Sequence, residues 1–279
     1  MKIDKNILLT REGKKSILID TFYSEEKINQ PIVIFCHGYK GFKDWGAWNL
    51  MAKHIADEGF CFIKFNFSHN GGTVNDPIDF PDLEAFGNNN YTKELEDLND
   101  VIDWSQEHFK NNSAINTTEI SLIGHSRGGG IAIIKASEDS RITKLITLAS
   151  VSNFENRFGS ETEIENWKEK GVKYVKNGRT KQEMPHYVQF LEDFEANKER
   201  LHIESATKSL ELPVLIIHGD KDTSVNIDEA YNIYEWSKNS QLEIVENAGH
   251  VFNTKHPWEK DILSVELNHV SETISKFLK

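Results

Sequence analysis

The chain has 279 residues, of which 38% are apolar and 10% aromatic, enough for one large core or for one core with an appended lid. Its formal net charge of −12 argues against a nucleic-acid-binding surface, which needs clustered Lys and Arg, and against docking on anionic lipid. No apolar run approaches the roughly 18 residues of a membrane span, so we expect a cytoplasmic protein.

Strands and helices alternate along the first 150 residues. Apolar runs of strand length predict strands at 6–9, 15–21, 31–36, 60–65, 119–123 and 145–149. Apolar positions at helical spacing predict helices at 45–58, at 92–109 and from about residue 126. The stretch at 66–90, rich in Asn, Gly, Asp and Pro, predicts a long loop. Cys36 and Cys61 lie in or beside two of the strands, which favours buried thiols in a reducing compartment over a disulfide.

The alternation is interrupted at residues 151–211, a charged and aromatic segment with helical stretches and no strand candidate. It then resumes, with predicted strands at 213–217 and 242–245 and predicted helices at 226–237 and 258–278. Alternating strands and helices imply an α/β fold, a mostly parallel sheet with helices on both faces. We therefore expect a core formed by 1–150 and 212–279. An inserted helical cap at 151–211 would lie over the carboxyl edge of the sheet, where ligands bind in such folds.

A serine lies between two glycines at the junction of a predicted strand and a predicted helix. The motif is Gly-x-Ser-x-Gly, from Gly124 to Gly128, directly after the apolar run that ends at Ile123. A sharp strand-to-helix turn strains the central residue and exposes its side chain, and the flanking glycines remove Cβ atoms that would clash there. The motif therefore predicts that Ser126 is displayed as a nucleophile, rather than belonging to an ordinary glycine turn.

Ser126 needs a base and an orienting acid, because a serine hydroxyl alone is a poor nucleophile. Folds with this strand–turn–helix motif place these groups in the chain order serine, acid, histidine. The last two predicted strands end in loops that carry Asp222 and His250, at the same edge of the sheet as Ser126. We predict that Ser126, Asp222 and His250 form a catalytic triad. Asp220 is the competing acid, but it directly follows Gly219 and is expected to cap the turn through its own backbone.

Other histidines near these motifs are expected to have different roles. His125 adjoins the nucleophile, but its side chain should project elsewhere and pack. His218 is expected to stabilise a strand end. His69 lies in the predicted long loop, and a position facing the substrate is kept as an open alternative for it. The chain has no CxxC motif and no His/Cys cluster, so neither a metal nor another cofactor is expected.

The chain resembles the serine-hydrolase branch of the α/β-hydrolase superfamily, which includes small carboxylesterases, cinnamoyl and feruloyl esterases, monoacylglycerol lipases and serine aminopeptidases. Four motifs in the expected order carry the resemblance: His37-Gly38-Tyr39, Gly124-His125-Ser126-Arg127-Gly128, His218-Gly219-Asp220-Lys221-Asp222 and Gly249-His250. The resemblance implies that the backbone N–H groups of Tyr39 and Arg127 form the oxyanion hole. Removing one such donor typically costs about 3 kcal/mol of transition-state stabilisation.

The expected activity is hydrolysis of a small-molecule carboxylic ester through an acyl-enzyme on Ser126. Aromatic residues of the insert and of the loop after His37 are expected to line the substrate pocket: Tyr39, Phe42, Trp45, Phe154, Tyr187 and Phe190. They favour small to medium acyl esters or aromatic esters of the hydroxycinnamoyl type. The alternatives are a peptidase, amidase or thioesterase of the same superfamily and a non-catalytic receptor on this fold. Such receptors often lack a triad residue, whereas this chain has all three.

Overall fold

The computed structural model describes all 279 residues, and strands and helices alternate along most of the chain. The strands are β1 (Lys2–Arg11), β2 (Lys14–Tyr23), β3 (Gln30–Cys36), β4 (Cys61–Phe65), β5 (Ile115–His125), β6 (Ile142–Leu148), β7 (Val172–Lys176), β8 (Glu183–Tyr187), β9 (Val214–Gly219) and β10 (Ser240–Val245). The helices are α1 (Trp48–Asp57), α2 (Leu83–Gly87), α3 (Tyr91–Phe109), α4 (Arg127–Glu138), α5 (Glu161–Lys170), α6 (Gln189–Ala196), α7 (Ile203–Ser209), α8 (Asp228–Trp236) and α9 (Val265–Leu278).

Eight strands form one sheet in the order β1-β2-β4-β3-β5-β6-β9-β10. The pairs β1–β2 and β2–β4 are antiparallel, and every neighbouring pair from β4 to β10 is parallel. The crossovers between parallel strands contain α1, α3, α4 and α8, since a parallel pair cannot be joined by a tight turn. The expected α/β fold with a mostly parallel sheet is confirmed.

Alternate residues of β3 belong to two hydrophobic cores on opposite faces of the sheet. Ile32 and Ile34 pack in the larger core, with side chains of α3 and α4. Val33 and Phe35 pack in the smaller core, with side chains of α1 and α9. All four side chains are fully buried, and full burial of one such side chain contributes about 1.5–3 kcal/mol. The two cores explain the continuous apolar runs and hold the carboxyl ends of the parallel strands at one edge.

Side-chain caps set helix boundaries that the apolar pattern does not show. The predicted helix at 258–278 is shorter than expected, because α9 begins after Ser264, whose Oγ accepts from the N–H of Leu267 at 3.1 Å. The predicted loop at 66–90 contains one short helix, α2, which Asp82 caps. No helix combines the length and the apolar character that a bilayer crossing requires.

The insert at 151–211 leaves the core after β6 and returns to it at β9. It contains the short 3₁₀ helix Glu155–Arg157, then α5, α6 and α7. The expectation that it holds no strand is wrong, because β7 and β8 form a separate antiparallel pair. The stretch from Met184 forms β8, and α6 begins only at Gln189.

Tertiary contacts explain why this hairpin is absent from the local pattern. The indole N–H of Trp167, in α5, donates to the backbone O of His186 in β8 at 2.7 Å. Met184 is fully buried. Strand formation here depends on these partners rather than on strand propensity, which is weak for a five-residue segment that contains Pro185.

Candidate active site

Ser126 lies at the carboxyl end of β5, in the turn that leads into α4. Its φ of 57° and ψ of −120° place it in a region that a residue with a Cβ adopts at a cost of about 1–3 kcal/mol. Its backbone N–H donates to the carbonyl of Leu148 at 2.9 Å, and its carbonyl accepts from the N–H of Val151 at 3.3 Å. These bonds to the end of β6 hold a strained turn that displays the serine side chain.

Gly124 and Gly128 permit this turn because neither position has room for a side chain. A Cβ on Gly124 would lie 2.3 Å from the carbonyl O of Gly128. A Cβ on Gly128 would lie 2.5 Å from the carbonyl oxygens of Cys36 and His37. The end of β5, the start of α4 and the end of β3 therefore touch through their backbones, and the spacing of the motif follows from this packing.

Asp222 and His250 meet at the ends of β9 and β10, where Nδ1 of His250 donates to Oδ2 of Asp222 at 2.7 Å. The Asp222 side chain is fully buried, and its Oδ1 accepts from the backbone N–H groups of Ser224 at 2.8 Å and Val225 at 3.0 Å. Burial alone would raise the pKa of the Asp222 carboxyl, but hydrogen bonds from His218 and His250 hold it well below its usual range. A buried, ionised carboxylate therefore orients the His250 ring.

Asp220, the competing acid, forms no hydrogen bond with His250. Its carboxylate forms an ion pair with Lys221 at 3.0 Å. This side chain is partly exposed, whereas that of Asp222 is fully buried. His250 therefore faces Asp222 and not Asp220.

Two cavities meet at Ser126, and both are also lined by His250 and Tyr39. The larger cavity has a volume of about 460 Å³, and the smaller has about 160 Å³. The Ser126 hydroxyl makes no hydrogen bond to His250, although the two side chains share both cavities. Catalytic hydrogen bonds are often long without a ligand and tighten when substrate binds.

The three other histidines weighed as site residues have separate surroundings. His125 Nε2 lies 2.9 Å from the backbone O of His250, and burial lowers the pKa of His125 to about 3, so it packs as a neutral ring. His218 lies behind the acid, with Nε2 3.3 Å from Oδ2 of Asp222. His69 lines neither cavity.

The backbone N–H groups of Tyr39 and Arg127 are free of protein partners. Arg127 is the first residue of α4, and the first N–H groups of a helix have no partner within it. The loop that carries Tyr39 lies against the nucleophile, since a Cβ on Gly38 would come within 2.8 Å of Ser126 Cβ. Both unpaired N–H groups therefore belong to segments that adjoin Ser126.

The residues predicted to line a pocket divide into two groups. Tyr39, Phe154 and Phe190 line the larger cavity, and Trp45 lines the smaller one with Tyr39. Phe42 and Tyr187 line neither cavity, contrary to the sequence expectation. The Phe42 ring is fully buried against His256 and Phe80, and the Tyr187 ring packs on Gly87 in α2.

Sequence analysis missed Tyr91 as a lining residue. It is the first residue of α3, outside the insert, and its ring stacks on Phe154 with 3.8 Å between centroids. It therefore supports the wall of the larger cavity from the core side. The position of Tyr91 beside the predicted long loop is the one signal that points to it.

A hydrogen bond links the predicted oxyanion loop to the insert, since Tyr39 Oη lies 2.7 Å from His186 Nε2. Burial, together with the positive charges of Arg127, Lys173 and Lys40, lowers the pKa of His186 to about 3. His186 is therefore neutral near neutral pH. Lys40, Arg127 and Lys173 line the same cavity as His186.

The described residues offer no cluster of three or more His, Cys, Asp or Glu side chains that could hold a metal ion. Cys36 and Cys61 are both free and buried. Burial raises the pKa of each thiol above its usual range, which makes both poor nucleophiles and poor metal ligands.

The sheet, the strained serine turn and the carboxylate–histidine pair at the ends of later strands define an α/β hydrolase. The family model BD-FAE matches residues 19–237, and the chain belongs to this family. No curated protein matches the chain by sequence.

Solved structures with the same fold include esterases and a lipase. Est1E from Butyrivibrio proteoclasticus is 16% identical with a TM-score of 0.73, over 99% of this chain and 98% of that chain. A structure of Est1E with bound ferulic acid is 17% identical with a TM-score of 0.70, over 98% and 97%. A monoacylglycerol lipase from Paleococcus ferrophilus is 14% identical with a TM-score of 0.66, over 94% and 98%. At these identities the likeness concerns the fold alone.

Proposed function

We propose that the chain is a serine esterase that hydrolyses carboxylic esters through an acyl-enzyme on Ser126. The observation that carries this proposal is the buried Asp222 carboxylate, paired at 2.7 Å with a histidine that lines the same cavities as the strained serine. A serine, a histidine and an orienting carboxylate in this relation are the groups that nucleophilic acyl transfer requires.

In the proposed reaction, Ser126 Oγ attacks the ester carbonyl carbon while His250 Nε2 accepts its proton. Asp222 accepts the hydrogen bond from Nδ1 and stabilises the imidazolium that forms. The N–H groups of Tyr39 and Arg127 donate to the oxyanion. His250 then protonates the leaving alcohol, and a water that His250 deprotonates hydrolyses the acyl-enzyme.

We assign the acyl group to the larger cavity, because it is wide enough for an extended or aromatic chain and is lined by rings. The side chains of Tyr91, Phe154, Phe158, Trp167 and Phe190 supply most of this apolar surface. The alcohol part is assigned to the smaller cavity beside Trp45. Small to medium acyl esters and hydroxycinnamoyl esters fit this arrangement, and ferulic acid is bound in one structure of Est1E.

The insert at 151–211 is proposed as a cap over Ser126, on a catalytic core formed by 1–150 and 212–279. Support comes from the larger cavity, whose lining combines Ser126 and His250 of the core with Phe158, Trp167 and Phe190 of the insert. A cap of this kind excludes water from the acyl site and shapes its specificity.

A panel of substrates tests the proposed function. p-Nitrophenyl esters of graded acyl length and a methyl hydroxycinnamate should be hydrolysed, whereas an aminoacyl p-nitroanilide should not. Preferred turnover of the amide would favour a peptidase. The absence of hydrolysis with every ester, together with ligand binding, would favour a receptor.

Replacing Phe190 with alanine should change acyl selectivity. Because the ring lines the larger cavity, its loss should lower kcat/KM for a hydroxycinnamoyl ester about tenfold more than for p-nitrophenyl acetate. Phe194→Ala is the matched control, since it removes a buried ring of the same helix that lies outside this cavity. If Phe190→Ala lowers both rates by the same factor, the insert has a packing role only.

Removal of divalent metals should leave turnover unchanged. The proposed oxyanion donors are backbone N–H groups and the proposed base is His250, so no step requires a metal. The measurement is the hydrolysis rate of p-nitrophenyl acetate before and after incubation with EDTA. A loss of activity that added Zn²⁺ or Mg²⁺ restores would contradict this prediction.

A further inference from the structure

The charged residues that line the larger cavity are all cationic. They are Lys40, Arg127, Arg157 and Lys173, and no Asp or Glu side chain lines this cavity. The chain as a whole has 44 acidic and 32 basic side chains. The charged side chains of the cavity are therefore all positive, although the protein as a whole has a negative net charge. This concentration of positive charge is a specific feature of the cavity.

Two of these cations are neutralised by neighbouring carboxylates. Arg127 lies 3.3 Å from Glu94, which is buried beneath it. Arg157 forms an ion pair with Glu229. These two arginines therefore account for no net charge in the cavity.

Lys173 has no carboxylate partner. It lies on β7, where the two-residue period places Lys173 and Val175 toward the cavity and Lys176 toward solvent. Its Nζ lies 4.1 Å from the centroid of the Trp167 ring and donates one hydrogen bond, to the carbonyl of Phe158 at 3.0 Å. Two of the three N–H donors of this ammonium group are free.

Lys40 also lacks a carboxylate partner. It follows Tyr39 in the predicted oxyanion loop, has a left-handed φ of 52° and lines both cavities. Its Nζ lies 4.9 Å from the centroid of the Tyr39 ring and makes no hydrogen bond. Burial lowers the pKa of both Lys40 and Lys173; the positive charge of Arg127 lowers that of Lys40 further, and the Glu163 carboxylate, which forms no ion pair with Lys173, only partly offsets the effect of burial there.

We propose that the larger cavity accepts an acyl chain that ends in a carboxylate, which Lys173 and Lys40 bind, so that the substrate is a monoester of a dicarboxylic acid. This inference rests on the proposed esterase function and specifies its substrate class. In the reaction, the bond between the acyl carbon and the alkoxy oxygen breaks and a bond from that carbon to a water oxygen forms. The products are the dicarboxylate, the alcohol and one proton.

The experiment compares p-nitrophenyl monoesters of adipic and suberic acid with the corresponding esters whose far carboxyl group is a primary amide. The members of each pair have nearly the same size and polarity and differ in charge. Charge-assisted hydrogen bonds from lysine should make kcat/KM about ten- to hundredfold higher for the carboxylate ester of at least one pair. The ratio of the two kcat/KM values is the quantity measured.

Lys173→Gln should lower this ratio about tenfold or more, because it removes the charge and keeps a polar side chain that is one atom shorter. Lys176→Gln, on the same strand and facing solvent, should leave the ratio at its wild-type value.

Hydrolysis of both esters at similar rates, or a preference for the amide ester in both pairs, would overturn the dicarboxylate proposal and leave the esterase function intact. An equal ratio in wild type and Lys173→Gln would also overturn it. No hydrolysis of any ester, p-nitrophenyl acetate included, would overturn the proposed function and this inference together.

Discussion

Replacing Ser126 with alanine is expected to lower kcat by about 10⁶-fold for any ester that the protein accepts, since removing the nucleophile of a triad typically costs this much. The substitution removes the oxygen that would form the acyl-enzyme, and no step of the proposed reaction can proceed without it. Hydrolysis of p-nitrophenyl acetate at saturating concentration gives the measurement.

The fold should survive this substitution. Alanine has the same Cβ as serine, so the cost of the φ of 57° is unchanged, and the thermal unfolding midpoint should stay close to that of the wild type. Ser137→Ala, at an exposed position of α4, the helix that follows Ser126, serves as the control and should keep full activity. A Ser126→Ala protein that retains most of the wild-type rate would contradict the assignment of the nucleophile.

Asp222→Asn is expected to lower kcat about 10⁴-fold while substrate binding changes little. The amide nitrogen that replaces Oδ2 would face Nδ1 of His250 and donate to it. His250 would then carry its proton on Nε2, the nitrogen that must accept the proton of Ser126. The separate effects on kcat and KM, measured with one p-nitrophenyl ester, distinguish a lost base from a lost binding contact.

Asp220→Asn is the matched control for this prediction. Asp220 lies two residues away, and its ion pair with the exposed Lys221 is screened by solvent and contributes little. We expect activity near that of the wild type. A large loss with Asp220→Asn and a small one with Asp222→Asn would show that the acid was assigned to the wrong residue.

The parts of the fold that local sequence determines were predictable. β3 is a continuous apolar run because both faces of the sheet are covered, and that pattern is visible in the residues themselves. The serine turn could also be predicted from local sequence. Close backbone contacts leave no room for a side chain at positions 124 and 128, so the two glycines mark the turn. The approach of Asp222 to His250 followed from their positions after two parallel strands.

The parts that depend on distant partners were not predictable. β8 forms because Trp167 holds the backbone of His186, a contact between side chain and backbone that periodicity does not reveal. Phe42 and Tyr187 are aromatic residues that lie close in sequence to residues lining the cavities. Phe42 nevertheless packs in a separate hydrophobic cluster, and Tyr187 packs on α2. The unpaired charge of Lys173 was likewise invisible, because it depends on which neighbours lack a carboxylate.

The central claim is that Ser126 is a nucleophile activated by the other two residues, and covalent labelling tests it most directly. The protein is treated with a fluorophosphonate, digested, and the modified residue located by peptide mass spectrometry. We predict one adduct per chain, on the oxygen of Ser126, with no adduct in Ser126→Ala and much slower labelling in Asp222→Asn. An adduct on another residue, or labelling of Ser126→Ala at the wild-type rate, would contradict the proposed mechanism.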